Sequence, residues 1–520
     1  MYRKPDKQIF LDDFDQIFGW TIDPDNRWVK KAKLIQWDDI EKEYSSRFPS
    51  KVGQVAKSAR LALGALLIQK ELGLSDVETV LMIQEHPYLQ YFCGMRAYTH
   101  EIPFDPSLMV HFRKRFTPEL LAAINEKIIE CSTPVKLPKE VRSSKDKDTP
   151  PNAGETPSTD KTPRADERID SGNSAPPGPD AVSDAQPPEE TPTPNGTLIV
   201  DATCVPSGIK YPTDTDLLNN ARLDTERMIS AMHDPSEGHR PRTYSRIARK
   251  EYVNFSKKRT KKTKEIRRMI FKQLNYLKRN LRFIDSMLES GSKLSEKQMS
   301  RLEVVRKVYE QQKFMYDTKT HTVPDRIVSL SQPWIRPIVR GKTKTPAEFG
   351  AKIDVSVVNG FTRLEKTSFS AYNESGELIP EIERYRERMG FYPARVLADK
   401  IYRNRENLKY CKERGIRLSG PSLGRRPKDY VPDKKQDYKD MCDRNEVERI
   451  FSLAKRSYGL GIVQTRLPET VMCSISLSIL LLNLNKVLFC TFVLALFARL
   501  STIRGTNQVT RRHQYDTITQ

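Results

Sequence analysis

The chain has 520 residues and a mass of 60.0 kDa, too long for one compact core; ordinary domain sizes give roughly three domains. Its 88 Lys and Arg against 67 Asp and Glu leave a net charge of +21, which points to nucleic acid or an anionic membrane surface as partner. A hydrophobic share of 37% excludes a wholly disordered chain. Seven widely spaced cysteines with no CxxC pair exclude a disulfide scaffold, a zinc ribbon and a thioredoxin-like site. That cysteine pattern suits a reducing cytosol, and no apolar signal core follows Met1–Pro5, so a cytoplasmic location is expected.

Residues 1–49 read as an N-terminal arm and 50–131 as an all-helical domain. Ala56, Ala59, Leu63 and Leu66 share one helix face. Gly73 stops that helix, and Ser75-Asp-Val-Glu78 is a capping box that opens the next. Thr117-Pro118 opens a helix to about Cys131. Arg113, Lys114 and Arg115 stand just before it, either as phosphate ligands or as a solvated basic turn. Residues 132–196 hold 13 of the 34 prolines and no aromatic residue, which predicts a disordered linker.

From Thr197 the character changes. Leu198-Ile-Val-Asp201 is an apolar strand closed by a carboxylate. Residues 239–321 read as an inserted helical hairpin. Between Arg240 and Arg282, 17 Lys and Arg face two Glu. An apolar stripe runs through Ile266, Ile270, Leu274, Leu277, Leu281 and Ile284, and Ser295-Glu-Lys-Gln298 caps a second helix. Lys257, Lys258, Arg259, Lys261 and Lys262 are candidate DNA-backbone contacts, the alternative being a solvated charged face. From Phe349 the period becomes two, with a hairpin at Asn359-Gly360 and a return strand to Tyr372. A helix over 377–389, a strand at Val396-Leu-Ala-Asp399, a helix over 404–414, a strand at 416–418 and a helix from about Asn445 follow. The order predicts an α/β sheet with an antiparallel part. Residues 468–500 are apolar but split by Asn483, Asn485 and Lys486, which predicts a buried helix rather than a membrane span; residues 501–520 read as a polar tail.

Asp201 and Asp399 each end an apolar strand, where ligands bind in α/β sheets and hard carboxylate oxygens suit Mg²⁺ or Mn²⁺. Arg444, Glu448 and Lys455 fall at about 0°, 40° and 20° around one helix, and Glu446 at about 200°. Glu448 is therefore the better third carboxylate, in line with two cations. A cap, a surface Asp and an i,i+4 ion pair are the ordinary alternatives.

Arg444-x3-Glu448-x6-Lys455 is similar to the signature of insertion-sequence DDE transposases, and Leu397-Ala-Asp399-Lys-Ile-Tyr402 resembles their second-Asp motif. Leu61–Arg115 looks like the helical domain preceding the core in one branch of them. Met441 stands where the signature has Tyr, and Ile401 where Gly is frequent. The resemblance implies an RNase-H-like mixed-sheet core with a large helical insert over 197–500, behind the helical N-terminal domain. It implies catalytic, metal-binding Asp201, Asp399 and Glu448 with two Mg²⁺ (or Mn²⁺), and phosphate contacts from Arg444, Lys455 and Tyr402. It further implies double-stranded DNA partners (terminal inverted repeats and target), a homodimer on DNA, no membrane partner and a place at the nucleoid. A DNA-binding protein with a decayed core, a metal-dependent nuclease that does not join strands, and a membrane-surface protein remain the rival readings. No GxxxxGK[ST] loop or HExxH is present, so ATP-driven and zincin chemistry are not indicated.

Overall fold

The computed structural model describes residues 22–48, 55–132, 193–339, 347–421, 423–424 and 433–516, with side chains to 495. Most of the proline-rich segment, the first 21 residues and the last four lie outside the described residues. The helices before the sheet are α1 Arg27–Leu34, α2 Trp37–Ser45, α3 Ala59–Leu72, α4 Asp76–Glu85, α5 Pro87–Phe92, α6 Leu108–Arg115 and α7 Pro118–Ser132. Strand β1 (Thr197–Pro206) follows. Next come α8 Asp214–Met232, α9 Ser245–Ser256, α10 Thr263–Glu289 and α11 Glu296–Thr318. The chain then forms β2 Arg336–Val339, β3 Ala347–Val358, β4 Phe361–Ser368, α12 Leu378–Met389, β5 Arg395–Leu397, α13 Arg405–Glu413 and β6 Arg417–Leu418. Helices α14 (Lys434–Ser457) and α15 (Pro468–Asp516) close it.

Local chemistry accounts for many of these boundaries. Ser75 and Ser295 each form a reciprocal capping box with Glu78 and Gln298. Gly73 ends α3 in the left-handed region, where a side chain would be strained. Asn359 and Gly360 both have positive φ (53° and 78°), as a two-residue hairpin requires between β3 and β4.

The sheet is mixed. β3 pairs antiparallel with β1 along one edge, and with β2 and β4 along the other. β1 then pairs parallel with β5, and β5 with β6. Both faces are covered. Ile199, Val205, Val355 and Leu397 pack under Val447, Ile450 and Ala454 of α14 and under α15. Leu198, Val200 and Val396 pack on the other face with Leu378 and Ile382 of α12.

Four expectations change. The arm is not separate from the helical domain: Trp28, Val29, Ile40 and Tyr44 join its core, and buried Lys31 pairs with Glu71 of α3. The basic insert begins earlier than 239, because Leu218, Ala221 and Ile229 of α8 share a core with Leu277, Ile284 and Val305 of α10 and α11. Helix α14 begins at Lys434 rather than near Asn445. Helix α15 is continuous through Asn483 and on to Asp516, over most of the expected tail. Asn483 is tolerated at 0% exposure because its amide donates to Asn125 Oδ1 and Thr362 O (both 2.7 Å) and accepts from Thr362 N at 3.0 Å. The Pro468–Ala495 stretch is long and apolar enough to cross a bilayer. Here, though, Cys473, Leu477 and Leu480 enter the helical core while Ile475, Ile479 and Leu482 enter the sheet core.

Candidate active site

Alternation along β1 puts Ile199, Asp201, Thr203 and Val205 on the face covered by α14. Asp201 is in mid-strand rather than at the strand's end, because β3 continues to pair with it through Val355. On the parallel side pairing stops at Ile199↔Leu397. Two more residues on each strand bring Asp399 level with Asp201. There Asp399 caps the short turn Lys400–Tyr402, its Oδ1 accepting from Lys400 N at 2.7 Å.

Helix α14 is fixed against this edge by Arg395 of β5. That guanidinium donates to Asp440 Oδ1 at 2.9 Å and to Asp443 Oδ2 at 2.5 Å. One turn further on, Arg444 points into the gap. Its Nη2 lies 3.9 Å from each of Asp201 Oδ2, Asp399 Oδ1 and Glu448 Oε1. Three carboxylates from three separate elements thus face one cationic atom. Asp201 forms the floor at 15% side-chain exposure, while Asp399 (52%) and Glu448 (62%) stand at the mouth. Glu446 faces elsewhere, toward Lys486 of α15 at 3.7 Å. Lys455 donates from Nζ to Thr203 Oγ1 at 2.8 Å.

Burial pushes the Asp201 carboxyl up to about 6, against the opposing pull of the Ala202 N–H and Arg444; Glu374 and Asp399 add to the rise. Among the described residues no three His, Cys, Asp or Glu side chains stand close enough to hold an ion as placed. The donor set still fits one. Three hard oxygen ligands surround a position already held by positive charge, and Asp201 is a carboxylate short of counter-charge.

Two residues expected on DNA are not available to it. Tyr402 is 0% exposed among Leu198, Val200, Leu378 and Ile382, so its ring is core. Arg113, 7% exposed, donates to Gln69 Oε1 at 2.7 Å and pairs with Asp76, an internal tie between α6 and the α3–α4 corner. Arg115 is half-buried and lies over the Phe48 ring at 4.7 Å. Lys257, Lys258, Arg259, Lys261 and Lys262 are all exposed in the loop between α9 and α10, with Lys258 paired to Glu265 at 2.8 Å.

Asp354 was legible only as the polar phase of an alternating strand. It is 0% exposed, on the sheet face opposite Asp201. Burial pushes its carboxyl up to about 7; the Tyr372 hydroxyl and Lys352 oppose the rise, and Glu374 and Glu377 add to it. Nearby Glu381, also 0% exposed, is raised well above the carboxylate range by burial, with Asp354 and Glu365 adding and Arg384 opposing. The folded state therefore holds a proton on Asp354 that the unfolded chain has lost, between the ordinary 3.8 and about 7. Stability falls as pH rises through that window. Asp354→Asn should flatten the fall and be more stable than wild type at pH 8, by up to about 4 kcal/mol in unfolding free energy. At pH 4 the two should be alike. Chemical denaturation at both pH values checks it.

The fold and site together define a cationic α/β protein with a convergent acid cluster on a mixed sheet, beside a strongly basic helical insert. Residues 396–485 match the family described as Transposase DDE domain, and residues 18–115 match the Transposase domain (DUF772). The two matches support recognition of the chain as an insertion-sequence DDE transposase. Asp399, Arg444, Glu448 and Lys455 lie inside the first match; Asp201 lies outside both. The chain is also similar to the uncharacterized protein ORF8 in nfe locus of Rhizobium meliloti, at 35% identity over 129 residues, 24% of this chain. It spans 60% of that relative's length. No solved structure matches.

Proposed function

We propose that the protein cuts DNA at the ends of its element and joins the freed 3′-OH to target DNA, by metal-dependent in-line displacement at phosphorus. The observation that carries this is the convergence of Asp201, Asp399 and Glu448 on one cationic atom. The strand order β4-β3-β1-β5-β6, antiparallel then parallel, supports an RNase-H-like core around it. The two family matches supply the substrate class.

Asp201, Asp399 and Glu448 would hold Mg²⁺ or Mn²⁺, two ions on the family pattern. Bound divalent ions would lower the pKa of water and neutralise developing charge on the phosphoryl oxygens. The chain's own groups do the rest. Arg444 grips a phosphate beside the scissile bond once it leaves the carboxylates, its planar fork suited to two phosphate oxygens. Lys455 adds a second positive charge on the same helix face. The exposed loop at 257–262 binds DNA backbone without reading sequence, and the helical domain recognises the terminal repeats. Two copies would bring two element ends together on DNA in the cytoplasm.

The test is a cleavage and strand-transfer assay on duplex DNA carrying the element's flanking ends, with Mg²⁺ or EDTA. Cutting and joining in Mg²⁺ only is the expected result. Cutting without joining would leave a nuclease. Binding without cutting would leave a DNA-binding protein with a decayed core.

A further inference from the structure

The three acids stand on β1, on the turn after β5 and on α14, and these elements meet again at the far end of the same face. Thr197 and Arg395 are register partners, as are Ile199 and Leu397. Side chains two residues apart on a strand share a face, so three rows lie under α14. The first is polar (Thr197, Arg395), the second apolar (Ile199, Leu397) and the third acidic (Asp201, Asp399). First and third rows are about 13 Å apart along the strands. Asp440 and Glu448 are about 12 Å apart along the axis of α14. The helix therefore sets Asp440 at the first row and Glu448 at the third, while Val447 shares a core with Ile199 and Leu397 of the second.

One guanidinium joins all three elements at the first row. Arg395 donates from Nε to Thr197 Oγ1 at 2.7 Å, from Nη1 to Asp440 Oδ1 at 2.9 Å and from Nη2 to Asp443 Oδ2 at 2.5 Å. Arg417 of β6, the register partner of Arg395 on its other side, pairs with Asp440 Oδ2 at 2.8 Å. Asp440 is 4% exposed, and each of its oxygens faces a guanidinium. Three nitrogens with three partners need the rigid planar fork of arginine; a lysine brings the charge on a single nitrogen. A shift of α14 by one residue would move it about 1.5 Å and turn it about 100°. That would take Asp440 off the fork and Glu448 away from Asp201 and Asp399 together.

We infer that Arg395 is a positioning residue that sets the register of α14 against β1 and β5, and so the place of Glu448 beside Asp201 and Asp399. The binding of an ion by those acids rests on the function proposed above; the anchoring of α14 by Arg395 does not.

Two readouts on the full-length chain keep these apart. The first is amide hydrogen exchange, read by mass spectrometry without metal or DNA. In Arg395→Lys, residues 438–446 of α14 should exchange about tenfold faster than in wild type, with α10 and α11 unchanged. Equal exchange overturns the inference, whether or not the protein cuts DNA. The second is Mn²⁺ affinity by electron paramagnetic resonance, which separates positioning from stability alone. Arg395→Lys should weaken Mn²⁺ binding about tenfold in the wild-type background and add nothing to Glu448→Gln, because it acts through Glu448. Wild-type Mn²⁺ affinity in Arg395→Lys, or a full further loss on the Glu448→Gln background, also overturns it. Asp443→Ala removes one arm of the fork at a carboxylate with 32% side-chain exposure. It should move both readouts in the same direction by less, and a shift in neither counts against the fork. Absence of Mn²⁺ binding by wild type counts against the proposed function and leaves hydrogen exchange to decide the anchoring.

Discussion

Alanine at Asp201, Asp399 or Glu448 is expected to abolish Mg²⁺-dependent cutting, each by about a thousandfold or more, while DNA affinity stays within a few-fold of wild type. The losses should not add, because three acids around one position act as a unit. Their structural costs should differ from their catalytic ones. Asp201 is a half-buried carboxylate pushed up to about 6 by burial, so removing it takes away a desolvated charge and thermal stability should hold. Glu448 and Asp399 are more than half exposed and should be equally silent in stability. Glu446→Ala is the matched control. It is two residues from Glu448 but faces Lys486 on α15, so it should keep near wild-type cutting. Activity that survives Glu448→Ala and vanishes with Glu446→Ala would reverse the assignment. Cleavage rates and melting temperatures of the four variants give the whole comparison.

The second large effect should come from the exposed loop between α9 and α10. Neutralising Lys257, Lys258, Arg259, Lys261 and Lys262 together should weaken binding to any duplex by about 10²- to 10⁴-fold near physiological salt. The slope of log affinity against log salt should fall by about 4. Lys258 already answers Glu265 at 2.8 Å, so its share should be the smallest. Element-end and random DNA should lose affinity alike, since phosphate contacts carry no sequence information. An unchanged salt slope, measured by titration at several salt concentrations, would mean that DNA passes elsewhere. The loop's side chains are on the surface, so the folded state should be unaffected.

What the sequence made legible was mostly local. The turn at Asn359-Gly360, the caps at Ser75 and Ser295, and the helix phase that puts Arg444, Glu448 and Lys455 on one side all follow from a few neighbouring residues. What it hid depends on partners far along the chain. Asn483 looked like a break in an apolar run, but Asn125, 358 residues away, and Thr362 satisfy it inside a continuous helix. Alternation in β3 separated Asp354 from Val355 correctly, yet could not say that α12 covers the polar face. Tyr402 and Arg113 carry the right chemistry for phosphate in the right stretch of chain. Only the tertiary packing turns one into core and the other into an internal ion pair. Short α1 and α2, and four-residue β2, carry too few apolar positions for a periodic signal.

On the proposed function, Asp201, Asp399 and Glu448 make one cation site, which the Arg444 guanidinium faces when no ion is bound. Manganese binding, followed by electron paramagnetic resonance in the absence of DNA, tests it without reference to activity. Wild type should bind Mn²⁺ saturably. Asp201→Asn, Asp399→Asn and Glu448→Gln should each weaken that binding about tenfold or more, while Glu446→Gln leaves it unchanged. Equal Mn²⁺ binding by wild type and the three acid variants would mean that the three carboxylates do not share an ion.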